Sequence, residues 1–326
     1  MKASVIILTY NQESTIGRAI ESVLRQRCRH EFEIVVADDC SPDATRQVAE
    51  EYARRYPDKV RLMPKMPNRG LVGNYFDAFE NCRGEYISDC AGDDEWLDDS
   101  RLERQIDALD ADRSLSVVFC DVEECEIFPD GGRRVALHSS MSRRRIYMQD
   151  HLKGEWLLPR VLNHTKELPY TLSAALYRRY SLMKVYEEQR EIVRDPEGGI
   201  EDVPVIAALA SIGDAAYLPI VGYRYYISGE SVSNNLSYDK EFWFTLRTTL
   251  LTSRLASHYG VSLNDVKDHV RLKINHIASQ ARHAGRKDYA VLVRDCARRW
   301  GVGLPLKARL NLLLLQLCGR ASDGRE

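Results

Sequence analysis

The first 120 residues switch repeatedly between two hydrophobic periods, and that alternation limits the fold more than any other feature. Ser4 to Thr9 (SVIILT) is a continuous apolar, β-branched run, as expected for a strand covered on both faces. Asn11 to Ser14 interrupt it, and Ile16, Ala19, Ile20, Val23 and Leu24 then recur at helical spacing. The cycle repeats. Phe32 to Ala37 reads as a strand, and Ser41-Pro42-Asp43 opens a helix carrying Val48 and Tyr52. Val60 to Met63 is a short strand, and Leu71 to Asn81 a helix with Val72, Tyr75, Phe76 and Phe79 on one side. Glu85 to Ser88 and Val117 to Cys120 are further strands, separated by a helix marked by Leu102, Ile106 and Leu109. Such a chain forms a mostly parallel sheet with helices on both faces. Ligands of such sheets bind outside the carboxyl ends of the strands.

Polar residues collect at those ends: Thr9, Tyr10, Asn11 and Glu13 after the first strand, Asp38 and Asp39 after the second, Asp93 and Asp94 after the fourth. The densest stretch is Ser88 to Asp99 (SDCAGDDEWLDD), where like charges repel and a lone carboxylate is costly to bury. A hard divalent cation, Mg²⁺ or Mn²⁺, held by one or two carboxylates and by substrate phosphates would relieve the Asp93/Asp94 repulsion. The competing reading makes Asp93 or Asp94 a loop residue and Asp98 or Ser100 a helix cap. Asp38 and Asp39 carry the same ambiguity: hydrogen bonds to a ribose or base, or Asp-x-Ser-Pro turn chemistry. Asp202, in Gly198 to Pro204 (GGIEDVP), is either a helix N-cap or a base, and the two roles are compatible.

Bulk properties exclude several classes. A net charge of −2 argues against a nucleic-acid binder. Eight scattered cysteines without a C-x-x-C pair read as reduced thiols of a cytoplasmic protein. The amino terminus has neither the apolar length nor the cleavage site of a signal peptide. No run of about 18 apolar residues predicts a membrane span. A dinucleotide-dependent oxidoreductase needs a glycine-rich turn after the first strand, whereas Thr9 to Glu13 contains no glycine.

Five segments in order, VIILTYNQE, EIVVADDCSPDAT, NRGLVGNYFDAF, GEYISDCAGDDEW and GIEDVPVIAAL, resemble the family 2 glycosyltransferases of bacterial surface-polysaccharide type. The resemblance implies a GT-A fold, a Rossmann-like nucleotide-sugar-binding α/β domain over residues 1–235. It divides into a nucleotide-binding half at about 1–122 and an acceptor half at about 123–235. A helical region follows over 236–326. It implies a nucleotide-sugar donor, UDP-linked for preference, and a glycan or lipid-linked acceptor, with Mn²⁺ or Mg²⁺ as cofactor and inversion at the anomeric carbon. Carried over, Thr9 and Asp39 contact the nucleoside with Asp38 supporting, and Tyr10, Asn11, Glu13 and Arg69 complete the nucleotide-sugar site. Asp93 handles ribose and metal, Asp94 binds metal, and Asp202 is the base. Two positions depart from the family pattern. Ala91 stands where many members have the first Asp of Asp-x-Asp-Asp, and Tyr223-Arg224-Tyr225-Tyr226 lacks the expected His. Arg224, Ser231 and Ser233 then remain to face a diphosphate, and Arg178 and Arg179 to serve the acceptor side or a helix start. The processive Gln-x-x-Arg-Trp motif is absent, which favours addition of one sugar. A non-catalytic sugar-nucleotide-binding or scaffold protein of the same fold is the alternative.

From about Phe242 the chain reads as helical, rich in Lys and Arg, and ends in the apolar run Leu310 to Leu317. These helices either pack as a core or a homo-oligomer contact, or meet an anionic membrane as a peripheral surface at the inner face of the cell membrane.

Overall fold

The computed structural model describes residues 1–128, 132–137, 151–163, 171–227 and 237–318. Two compact units emerge. One comprises residues 1–161, 165–196 and 200–227, and the other residues 162–164, 197–199 and 228–326.

The first unit is built on one mixed sheet. Its strands are β1 (Ala3–Thr9), β2 (Phe32–Asp38), β3 (Val60–Leu62), β4 (Tyr86–Ala91), β5 (Glu95–Trp96), β6 (Leu115–Ile127), β7 (Arg133–Leu137), β8 (His151–Leu152), β9 (Ala175–Arg178) and β10 (Asp214–Ile227). The main path runs β3-β2-β1-β4-β9-β6-β10-β5. Strands β3, β2, β1 and β4 are mutually parallel, and β9 is antiparallel to both β4 and β6. Helices α1 (Ile16–Leu24), α2 (Thr45–Arg55), α3 (Gly70–Asn81) and α4 (Arg101–Ala111) follow their strands. Because β2 and β3 lie to one side of β1 and β4 to the other, right-handed crossovers put α3 on the face opposite α1 and α2. The reversal at β1/β4 is the switch point where such sheets take ligands.

Side-chain alternation divides the core accordingly. Val5, Ile7, Ile34 and Val36 join Ile16, Ile20 and Val23 of α1 in one layer, and Cys90 of β4 faces this layer with Leu102 and Ile106 of α4. Two strands run past their expected ends. The apolar run suggests a β4 ending at Ser88, yet pairing continues through Ile6↔Asp89 and Leu8↔Ala91. Backbone pairing is indifferent to the polar side chain of Asp89, so hydrophobicity alone misses this extension. Strand β6 likewise extends well beyond Val117 to Cys120, because β10 supplies a parallel partner along its length.

The rest of this unit holds α5 (Gly154–Leu162), α6 (Arg179–Glu188), α7 (Arg190–Val193) and α8 (Asp202–Ile212), with a 3₁₀ turn at Leu172–Ala174. The second unit is helical: α9 (Tyr238–His258), α10 (Leu263–Ala284), α11 (Tyr289–Arg299) and α12 (Leu306–Cys318). Phe242 stacks on Tyr289 at 3.9 Å between ring centres, and the Trp300 indole N–H donates to the Thr249 carbonyl at 3.1 Å. All eight cysteines are free thiols.

Candidate active site

Four loops meet at the carboxyl ends of β1, β2 and β4, and backbone bonds stitch them together. The Asp39 N–H donates to the Thr9 carbonyl at 3.0 Å, and the Gly92 N–H to the Leu8 carbonyl at 2.9 Å. Asn11, in the left-handed region at φ 57°, donates its N–H to Ser41 Oγ at 2.9 Å. Thr9 is buried, and its hydroxyl donates to Gln12 Oε1 at 2.8 Å. Gly92 lies so close to this pair that a Cβ would collide with both side chains. Tyr10 stands out from the loop, 51% exposed.

The acids gathered here have different duties. The Asp39 carboxylate accepts the Arg69 N–H at 2.7 Å, and Asn68 Nδ2 donates to the Asp39 carbonyl at 2.9 Å, so Asp39 anchors the loop before α3. Burial raises the Asp39 carboxyl above the ordinary carboxylate range, opposed by the N–H groups of Arg69 and Gly70. The Arg69 guanidinium is half-exposed and lies 3.8 Å from Asp77. Asp38 turns inward instead. It accepts the Ser41 N–H at 3.2 Å and bonds its hydroxyl, with Arg46 at 3.9 Å. Glu13 is also tied down: its carboxylate accepts the Ala44 N–H at 2.8 Å just ahead of α2, while its own N–H donates to Asp43 at 3.0 Å. The Asp38 and Glu13 carboxylates thus serve the β2–α2 turn and the start of α2.

Asp93 and Asp94 are not equivalent either. Asp94 is 1% exposed, accepts the Tyr226 N–H at 2.7 Å and takes the Tyr223 hydroxyl on its other oxygen. Burial, then the Asp93 charge, push its carboxyl well above the ordinary range. Asp93 is half-buried, and burial raises it less, with Arg18 and the Gln12 side chain opposing. Arg18 of α1 donates to the Asp93 carbonyl, and its guanidinium lies 4.0 Å from the Tyr226 ring centre. Among the described residues no three His, Cys, Asp or Glu side chains cluster as a metal site. A lone half-buried carboxylate still suits a hard cation that brings its other oxygens from a substrate diphosphate. Asp93 fits that description; Asp94, with both oxygens bonded to β10, does not.

A third group of acids lies near the same edge. The pairing of Tyr86 with Arg178 and Ser88 with Leu176 runs β9 antiparallel to β4, so Leu172 lies beyond the carboxyl end of β4. The Asp202 carboxylate accepts the Leu172 N–H at 2.9 Å, which brings Asp202 to that end of the sheet. Asp202 is the first residue of α8 and makes no cap bond to its own helix, so the N-cap reading is corrected. Burial raises its carboxyl to about 6, the Leu172 N–H holding it from going higher. Two neighbours lack such a bond to an outside donor. Glu201 is pushed well above the ordinary range by burial and by Asp202. Asp89, 5% exposed, is pushed up the same way, and neither of its oxygens has a hydrogen-bond partner.

The remaining expectations separate cleanly. Arg224 is held by Glu95 at 2.6 Å and Glu123 at 2.5 Å. Arg178 donates to the carbonyls of Leu115 at 2.7 Å and Asp112 at 3.0 Å and to that of Leu109, closing the end of α4. These bonds tie both side chains into the sheet unit's own frame. Ser231 and Ser233 lie outside the described residues. Arg18, Asp89 and Glu201 escape sequence reasoning. Arg18 reads as the solvent face of a helix, and Asp89 sits in a motif whose acids all look alike; only Glu201, adjacent to Asp202, carries a hint.

Comparison with known proteins adds to this geometry. The family model described as "Glycosyl transferase family 2" matches residues 4–185. The uncharacterized protein Rv1520 of Mycobacterium tuberculosis is 37% identical over 130 residues, 40% of this chain and 37% of that one. The succinoglycan biosynthesis protein ExoO of Rhizobium meliloti is 30% identical over 72% of this chain and 63% of its own length. The chain thus spans less than two thirds of either relative. Among solved structures, S. aureus TarS residues 1–349 in complex with UDP-GlcNAc superposes with a TM-score of 0.57 at 17% identity, over 97% of this chain and 92% of that one. The mannosyltransferase PcManGT of Pyrobaculum calidifontis, in complex with GDP-Man and Mn²⁺, gives 0.55 at 15% identity, over 97% and 84%. Both share the fold.

Proposed function

The chain belongs to glycosyl transferase family 2, and from that premise we propose that it moves one sugar from a nucleotide-diphosphate donor, UDP-linked for preference, to a hydroxyl of a glycan or lipid-linked acceptor in surface-polysaccharide synthesis. The observation that carries this reading is the bond from the Leu172 N–H to Asp202, which holds a partly buried carboxylate at the carboxyl end of β4, on the edge where Asp39 and Asp93 stand.

The proposed chemistry follows from how the acids differ. Of Asp89, Glu201 and Asp202, the last ionises first, because it has an N–H donor and its neighbours have none from outside. A carboxylate titrating near 6 is ionised at neutral pH and basic enough to take the proton of an attacking hydroxyl. The acceptor oxygen then displaces the nucleoside diphosphate from the anomeric carbon in one step, which inverts that carbon. Thr9, Asn11 and Asp39 flank the nucleoside position. Arg18 offers positive charge next to Asp93, where charge grows on the leaving diphosphate. When bound there by Asp93, Mn²⁺ or Mg²⁺ supplies Lewis-acid neutralisation of the diphosphate.

Asp202→Asn tests the assignment. Donor binding should persist while turnover falls about 10²–10⁴-fold, as for loss of a general base. The measurement is single-turnover transfer or donor hydrolysis across UDP-, GDP- and dTDP-sugars. Near-normal turnover would favour the second reading, a sugar-nucleotide-binding scaffold in which Asp202 only anchors Leu172.

A further inference from the structure

Helix α12 carries leucine on two opposite faces. Ala308, Asn311, Leu312 and Leu315 are buried, and the helix packs on α10. Leu306, Leu310, Leu313 and Leu317 point the other way, at 83%, 55%, 53% and 71% exposure. At 3.6 residues per turn these four fall within about 60° of one another, and their centre lies roughly opposite that of the buried face. The leucines at spacings of four, three and four therefore form one stripe along the outer side of the helix. The cations are arranged around it. Lys307 and Arg309, both exposed, project to the left and right of the stripe, and Arg298 and Arg299 precede it on α11, also exposed. Between Cys296 and Ser322 the sequence contains Arg298, Arg299, Lys307, Arg309 and Arg320 and no acid.

We propose that this face of α12 is a docking surface for an anionic lipid bilayer, with the helix lying in the plane of the interface. An apolar stripe bordered on both sides by long basic side chains is the pattern of a helix whose leucines enter the acyl boundary while its cations reach the headgroups. Arg299, Lys307 and Arg309 supply the matching charge for an anionic leaflet, whereas Arg298 is paired with Asp295 at 2.8 Å. A second copy of the chain fits less well. The stripe is about 20 Å long and about 10 Å wide, on the order of 200 Å², far below the roughly 800 Å² that each partner contributes to a standard stable interface. Two such helices would also bring like charges together along both borders. No described helix is long and apolar enough to cross a membrane, so the contact is a surface one.

The test is flotation of the full chain with vesicles of equal parts phosphatidylcholine and phosphatidylglycerol, against vesicles of phosphatidylcholine alone. Association is expected with the anionic vesicles at low salt, and it should weaken steeply as salt rises. Leu310→Ser with Leu313→Ser should lower the partition coefficient about tenfold or more, and so should Lys307→Gln with Arg309→Gln. All four side chains are exposed, so circular dichroism and the unfolding midpoint should match the parent chain. Three outcomes overturn the proposal: no flotation at low salt, flotation that neither variant reduces, or sedimentation showing a dimer that Leu310→Ser with Leu313→Ser dissolves.

Discussion

The two units depart from ordinary protein surfaces in opposite ways. The sheet unit buries charge: Asp89, Asp94 and Glu201 sit at or near strand ends with their carboxyls pushed toward the neutral form. The helical unit exposes apolar surface, four leucines on the outer side of α12. Taking acids out of water costs stability, most of all at Asp89 where neither oxygen is hydrogen-bonded, and outward leucines invite aggregation, so neither arrangement serves folding. The contrast teaches where to look for partners. A polar cluster withheld from water suits a small charged ligand, and an apolar stripe offered to water suits a broad, fluid one.

That contrast can be broken most severely on the sheet side. If Asp93 meets the donor through a divalent cation, chelation with EDTA should reduce sugar transfer to background, and Mn²⁺ or Mg²⁺ should restore it; undiminished transfer in chelator removes the cation. The helical side is tested by two leucines on one helix. Leu315→Ala empties a buried site and should cost about 2–5 kcal/mol in urea unfolding. Leu313→Ala, on the outer face, should stay within about 0.5 kcal/mol. Equal costs would mean that the outer face is covered in solution.

A further effect should appear in pH dependence. Asp202 is raised in the folded state, from 3.8 to about 6. A group raised this way binds its proton more tightly folded than unfolded, so its stabilising contribution is complete below about pH 4 and is lost as pH rises through 6. Relative to Asp202→Asn, the parent chain should therefore lose up to about 3 kcal/mol over that interval. Parallel stability curves for parent and variant would show that Asp202 is not desolvated. The loss belongs to Asp202 and should persist unchanged in variants of α12, which retain that group.

Much of the fold was legible because hydrophobic period reports secondary structure directly. The run SVIILT and the spacing from Ile16 to Leu24 predict β1 and α1, and both form. The extension of β4 through Ala91 was not legible, since pairing with β1 depends on a neighbour rather than on the polar side chains of Ser88 and Asp89. The family was legible too, since its five motifs keep their order and spacing. Within those motifs, chemically identical carboxylates could not be told apart. Glu13, Asp38 and Asp94 look like Asp39, Asp93 and Asp202 until their hydrogen-bond partners are known.

By itself, then, the sequence determined the alternation of strand and helix, the collection of acids at strand ends and the basic, leucine-rich helical tail, all local properties of spacing and composition. Tertiary structure alone decided which donor each acid meets. Those donors come from distant segments: Tyr226 for Asp94, Ala44 for Glu13, Leu172 for Asp202. It also decided which leucines of α12 face outward. A helix with leucine on both sides has no preferred face until a neighbouring helix, here α10, covers one of them and leaves the other to the solvent.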